Sequence, residues 1–89
     1  NKIDLHEDFK TNFGLLLNLY KKKKNINFVN LLLFLTDIYF IKFNDKNNQN
    51  IEKIVENKSF VISNIDKFLK YNLNQNAVIN VINRKLFNE

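Results

Sequence analysis

The chain has 89 residues, enough for one domain whose folding buries about 60–65% of the surface of the unfolded chain. It is 45% hydrophobic, contains nine phenylalanines, carries a formal net charge of +5, and has no cysteine and no proline. The absence of cysteine excludes disulfides and thiolate metal sites.

The composition also bears on origin and location. Asn, Lys, Ile, Leu and Phe dominate the chain, and because their codons are rich in A and T, we expect an AT-rich genome. The first residue is Asn1 and not Met, so we expect residues 1–89 to be a single helical domain of a longer protein. The sequence shows no signal-peptide pattern, and we expect a cytoplasmic location.

A first helix is predicted to end at the lysine run Lys21–Lys24, where positive charge interacts favourably with the helix dipole. Asp4, followed three residues later by Glu7, predicts a capping box at its start. Gly14 weakens this helix by about 1 kcal/mol relative to Ala, and we expect a neighbour to pack closely there. Six apolar residues at spacings of three and four form one face: Leu5, Phe9, Phe13, Leu16, Leu17 and Tyr20.

The stretch Phe28–Phe43 is the most apolar part of the chain and is predicted to be the central helix. Only Asn30, Thr36, Asp37 and Lys42 interrupt it, and a helix that is apolar on almost every side is a buried one. Its 16 residues are fewer than the ~20 that a membrane span needs. The expected core is Leu32, Leu35, Ile38 and Tyr39, packed by Phe9, Phe13, Leu17, Phe68 and Ile82.

The segment Asn44–Asn50 has no apolar residue and is predicted to be a loop. A short third helix follows over Ile51–Val55. A fourth is predicted to begin at Asn57 or Ser59 and to end near Leu73, because its apolar residues again repeat at helical spacing.

Asn74 is predicted to cap the N-terminus of a fifth and last helix. The resulting fold class is all-α, a compact bundle of about five helices around one central apolar helix. The alternative is a mixed α/β fold in which Asp37–Phe43 forms a strand. Tight hairpins favour glycine, however, and Gly14 is the chain's one glycine.

No catalytic or cofactor chemistry is predicted. His6, Glu7 and Asp8 are the one group of candidate metal ligands, but adjacent helical residues point in different directions and do not converge on one ion. Asp37 is expected to be half-buried and either to pair with a lysine or to cap a neighbouring helix, with a functional carboxylate as the alternative. The sequence has no glycine-rich phosphate loop. The candidate nucleophiles lack a histidine partner in any motif: Thr11, Thr36, Ser59 and Ser63.

Nucleic-acid binding is the alternative that the net charge of +5 suggests. The dense cluster consists of Lys21, Lys22, Lys23 and Lys24. The other lysines are interleaved with acids, and Arg84 is the one arginine, the residue best suited to bidentate phosphate contacts. The predicted binding of nucleic acid by this cluster is weak, salt-sensitive and independent of the nucleic-acid sequence.

Two segments carry a family resemblance. Leu31–Asn44 contains an acid, Asp37, followed by apolar residues, and Leu69–Leu86 contains an Asn-x-Asn turn, Asn72 and Asn74, before an apolar helix. In this order they resemble the C-terminal collar domain of bacterial DNA polymerase III clamp-loader subunits of the delta-prime and gamma type. The resemblance covers about a third of the chain and implies a role in DNA replication as the oligomerisation domain of a clamp-loader subunit.

The function predicted from the sequence is therefore a non-enzymatic helical module for protein–protein assembly, with other protein subunits as partners. If the resemblance holds, the final helix faces another subunit through Asn80 and Lys85, with Phe87 as an apolar anchor. The alternatives are the basic helical module contacting nucleic acid and a fragment of a helical repeat, although the sequence shows no internal repeat.

Overall fold

The computed structural model describes residues 5–47 and 51–88, and in these ranges the chain forms four α-helices. They are α1 (Leu5–Lys23), α2 (Ile26–Asn47), α3 (Ile51–Tyr71) and α4 (Gln75–Phe87). Helix α1 packs against α2 and α4, and α3 packs against the same two helices. The short connections make sequential neighbours antiparallel. The predicted all-α class is confirmed.

Helix α3 corrects the prediction of five helices, because the third and fourth predicted helices are one. Asn57 and Ser59, expected to start a new helix, lie inside it. The physical reason is the continuity of its buried face: Ile54 is followed two turns later by Val61, so one apolar stripe runs past the polar residues between them. A capping residue type does not end a helix whose buried face continues.

Helix α2 is longer than predicted. It continues to Asn47, so the loop expected over Asn44–Asn50 is wrong for residues 44–47, while residues 48–50 lie outside the described ranges. Extending an existing helix costs far less than starting one, and this segment contains neither proline nor glycine to stop it. Asp4 of the predicted capping box also lies outside the described ranges.

The core lies between all four helices. Leu32 and Tyr39 are buried as predicted, whereas Leu35 and Ile38 are only half-buried at the edge of α2. Thr36 is also buried, and its hydroxyl donates to the carbonyl of Leu32 at 2.8 Å, which satisfies a polar group inside the core. The five residues predicted to pack on the central helix are all in the core: Phe9, Phe13, Leu17, Phe68 and Ile82.

Gly14 lies where α1 packs against α4. A Cβ placed at this position would lie 3.4 Å from Cδ1 of Ile79, so the side chain of Ile79 packs directly over the glycine. The close packing expected at this glycine is confirmed.

Asn74 caps α4 as predicted. Its side-chain oxygen accepts from the backbone N–H of Asn76 at 2.9 Å and of Ala77 at 3.2 Å. Asn72, two residues earlier, has a positive φ of 51°, a conformation that asparagine tolerates better than most residues. The Asn-x-Asn turn therefore combines the chain reversal after α3 with the cap of α4.

Asn74→Ala is expected to lower the free energy of unfolding by about 0.5–2 kcal/mol, because two N–H groups at the start of α4 lose their acceptor. Urea denaturation followed by circular dichroism measures the difference. Asn80→Ala, an exposed substitution within the same helix, is the control and should not destabilise. Equal stability of the Asn74→Ala variant and the parent would show that solvent replaces the cap without loss.

Candidate protein-interaction surface

Helix α2 has a second apolar side that faces away from the core. Leu31, Phe34, Ile38 and Ile41 follow one another at spacings of three, four and three, which places them on one side of a helix. The exposed fractions are 47% for Leu31, 62% for Phe34 and 59% for Ile41, and Ile38 is half-buried. We call these four residues the outer stripe.

The outer stripe corrects the prediction that the central helix is buried on almost every side. Helix α2 packs against α1 on one flank and against α3 on the other, and its core side carries Leu32, Thr36 and Tyr39. Helices α1 and α3 and the core cover three sides of α2, so its fourth side is exposed. The apolar residues on that side are consequently exposed within this chain.

Helix α1 widens the apolar surface. Leu15, 52% exposed, and Leu16 lie beside the outer stripe and form a groove with it. The groove has a volume of about 300 Å³, and its remaining lining residues are Asn12, Leu31, Phe34, Leu35 and Ile38. We call it the α1–α2 groove.

The α1–α2 groove has no charged residue in its lining, and charges lie at its borders. Asp8 and Lys42 line an adjoining depression of about 230 Å³ that shares Leu35 with the groove. On the α3 flank, Lys58 Nζ lies 2.7 Å from Asp37 Oδ1. Asp37 thus pairs with a lysine as predicted, but its side chain is more exposed than expected. An apolar centre within a charged rim is the usual composition of a protein–protein interface.

The four lysines of the run Lys21–Lys24 have different environments in the structure. Lys21 Nζ donates to Oδ1 of Asn72 at 2.7 Å and lies 5.3 Å from the centre of the Phe68 ring. Lys24 ends α1 with a positive φ of 56°, and its N–H donates to the carbonyl of Tyr20. Lys21 is half-buried, whereas Lys22, Lys23 and Lys24 are exposed.

The fold nevertheless gathers further lysines at this end. Because Lys21 reaches Asn72, the C-termini of α1 and α3 lie at the same end of the bundle, and Lys67 and Lys70 are exposed near the end of α3. Lys21–Lys24, Lys67 and Lys70 form what we call the basic end; Asp66, 3.4 Å from Lys70, is its acid. Six lysines and one acid give +5, the net charge of the whole chain, since the other eight cations and eight acids cancel.

The residues predicted to contact another subunit lie on α4, whose packed neighbours are α1 and α3 and which meets α2 in the core, where the ring centres of Phe87 and Tyr39 are 6.3 Å apart. Asn80 is exposed. Lys85 Nζ lies 2.7 Å from Glu56 Oε2 on α3, and this hydrogen bond, assisted by the lysine charge, lowers the pKa of Glu56. Phe87 is half-buried, with its ring centre 5.1 Å from that of His6. The structure thus engages Lys85 and Phe87 in contacts between helices.

His6 has a structural environment that the sequence interpretation missed. Its Nδ1 lies 2.7 Å from the hydroxyl of Tyr39, and its ring lies edge-on to Phe87. Glu7 and Asp8 are exposed, and within residues 5–47 and 51–88 no three His, Cys, Asp or Glu side chains are grouped to hold a metal ion. A signal was available: His6 precedes Phe9 by three residues, which places it on the buried face.

In the ranges that the structure describes, none of the helices combines the length and apolarity required to cross a membrane. Comparisons with protein-family models, curated proteins and solved structures found no match to this chain. The surfaces of the molecule are therefore the basis on which its function is inferred.

Proposed function

We propose that this chain is a non-enzymatic protein–protein assembly module that binds its partner through the outer stripe and the α1–α2 groove. The observation that carries this proposal is the exposed apolar side of α2 opposite the core. A helix that is apolar all round is stable in water only when each side is covered. The largest contiguous apolar patch of a monomeric protein, typically about 300–600 Å², is often a functional site.

The composition of the surface supports the same function. Phe34 lies near the middle of the outer stripe, with Leu31 and Ile38 beside it and Leu15 across the groove. Large aromatic side chains surrounded by apolar contacts dominate the binding energy of many interfaces. Phe34 is accordingly proposed as the anchor residue.

A finer proposal is that the module is the oligomerisation domain of a replicative clamp-loader subunit. Its support is the resemblance of Leu31–Asn44 and Leu69–Leu86 to the collar domain. In that proposal Asn80 on α4 contacts a neighbouring subunit, on a different side of the bundle from the outer stripe. The general assembly function does not depend on this finer identity.

Site-specific photo-crosslinking tests the assembly function. A benzophenone-bearing phenylalanine analogue is placed at Phe34, and the protein is irradiated in cells of the organism that makes it. The expected result is a covalent product with a polypeptide, either a second copy or a different protein, because the anchor residue lies within the interface. Tyr71, an aromatic residue 68% exposed at the end of α3, is the matched control and should give little product.

Irradiation that yields no polypeptide product from Phe34, while the protein is folded and present at its natural level, would overturn the assembly function for this surface. Equal products from Phe34 and Tyr71 would also overturn it, since they would show random encounters. Mass spectrometry of the product identifies the partner.

Nucleic-acid contact by the basic end is a second candidate function. The observation that favours it is that six lysines and one acid lie near one end of the bundle. Lysines clustered in this way attract the phosphate backbone without reading the sequence, and their binding weakens as salt rises. Among the exposed members, Lys22, Lys23, Lys67 and Lys70 supply the contacts in this proposal.

For the second candidate, fluorescence anisotropy with a labelled DNA duplex is expected to show affinity falling about 10²-fold between 50 and 200 mM salt, for about four phosphate contacts. Lys22→Gln with Lys67→Gln should weaken binding at low salt. The control, Lys42→Gln with Arg84→Gln, removes the same charge from exposed sites outside the basic end. Equal losses in both double variants would show dependence on net charge alone and would contradict a localised site.

A further inference from the structure

We propose that the occupant of the outer stripe is a second copy of this chain, packed with its α2 antiparallel to α2 of the first. This inference rests on the proposed assembly function and names the partner. The pairing follows from three properties of the surface: the spacing of its apolar residues, its area and the distribution of charge along the bundle.

The spacing of the outer stripe is that of a helix–helix seam. Apolar residues that alternate at three and four repeat every 3.5 residues on average and face a partner helix along a narrow line. The stripe is centred between Phe34 and Ile38. A two-fold axis at that level pairs Phe34 with Ile38 of the second copy and Leu31 with Ile41 of the second copy. The surface is thereby complementary to itself, as a two-fold interface requires.

The area fits a stable dimer. Leu15, Leu31, Phe34 and Ile41 are each about half exposed or more, and with about 200 Å² for a fully exposed large side chain they present on the order of 400 Å² of apolar surface. A specific interface buries about 800 Å² per partner, of which a little over half is apolar, roughly 450 Å². The available apolar surface is therefore close to what one interface needs.

The charge distribution selects the antiparallel arrangement. A parallel pair would place the two basic ends side by side. In the antiparallel pair they lie at opposite ends, and because α2 has 22 residues they are separated by roughly 30 Å. That distance is several times the screening length of about 8 Å at physiological salt. The same axis brings the Asp8 end of α1 beside the lysine-bearing end of α1 in the second copy.

Sedimentation equilibrium over about 5–500 µM protein tests the dimer. The parent is expected to dimerise, and to do so equally at 0.15 and 0.5 M salt because the interface is apolar. Phe34→Lys should weaken dimerisation at least 100-fold, and Ile41→Lys, the second variant, should also weaken it. Val55→Lys, a substitution at an exposed apolar residue of α3, is the control and should dimerise like the parent. Circular dichroism verifies folding.

Cysteine pairing tests the antiparallel geometry, since the chain has no cysteine of its own. Leu31→Cys and Ile41→Cys proteins are mixed and oxidised. The expected product is the mixed disulfide, because antiparallel packing brings these positions within bonding distance. Disulfides joining two Leu31→Cys chains, in preference to the mixed product, would overturn the antiparallel arrangement.

A parent protein that stays monomeric at 500 µM, or a dimer that both lysine variants leave intact, would overturn the second copy as occupant. In that event, photo-crosslinking of Phe34 to a different protein would retain the assembly function with another partner. Failure of both experiments would remove the assembly function itself, so the two failures are distinguishable.

Discussion

Leu32→Ala is expected to lower the free energy of unfolding by about 2–5 kcal/mol. Leu32 is fully buried, with an exposed fraction of 0%, and its side chain belongs to the core cluster formed by the four helices. Truncation removes favourable burial and leaves a cavity that close-packed neighbours fill only in part. Urea denaturation at a protein concentration of a few micromolar or below measures the loss for the monomer.

Leu31→Ala is the matched control, because it removes the same atoms from the residue directly before Leu32 in the same helix. Leu31 is on the outer stripe, so its truncation leaves no cavity and should change the stability of the monomer by less than about 1 kcal/mol. Similar losses for the two variants would show that α2 buries both sides within one chain. Helix α2 would then not have one buried and one exposed apolar side.

Phe68→Ala is expected to lower the free energy of unfolding by about 3–5 kcal/mol. Phe68 is 1% exposed, and its ring centre lies 6.1 Å from that of Tyr20. Lys21 Nζ lies over the same ring, and the carbonyl of Phe68 accepts from the N–H of Leu73 in the turn before α4. The substitution therefore affects the packing of α1, α3 and the turn together.

Tyr71→Ala removes an aromatic ring from the exposed end of the same helix and should cost less than about 1 kcal/mol. Thermal unfolding of both variants gives an independent comparison, with a much larger decrease in Tm for Phe68→Ala. A Phe68→Ala protein as stable as Tyr71→Ala would show that α3 is not anchored to α1 at this end. The lysines of α1 and those of α3 would then not be held together at one end of the bundle.

Much of the fold follows from local patterns that can be counted in the sequence. The three-four spacing of Phe9, Phe13 and Leu17 identified the buried face of α1, and Ile82, expected to pack on the central helix, is buried on α4. Asn74 was identified as a cap from its residue type and its place before an apolar repeat. These features depend on residues within one or two turns of each other, so a sequence contains the information they need.

The candidate surface could be predicted only in part. The apolar character of Phe28–Phe43 was evident, but Leu31 and Leu32 are the same residue type and the sequence does not distinguish the exposed one from the buried one. The distinction depends on which neighbours α2 has, and on how many of its sides they cover. The helix boundary predicted at Asn57 or Ser59 is wrong for a related reason. Both are capping residue types, but the packing of Ile54 and Val61 keeps α3 continuous.

By itself the sequence determined the helical class, the buried face of α1, the cap at Asn74 and the net charge of +5. Only the tertiary structure decided that α2 has a covered and an uncovered apolar side, and that Lys67 and Lys70 join Lys22 and Lys23 at one end. The physical reason is the distance along the chain over which each effect acts. Helix propensity, capping and periodicity act between near neighbours, whereas exposure and the grouping of charges depend on the packing of helices far apart in the chain.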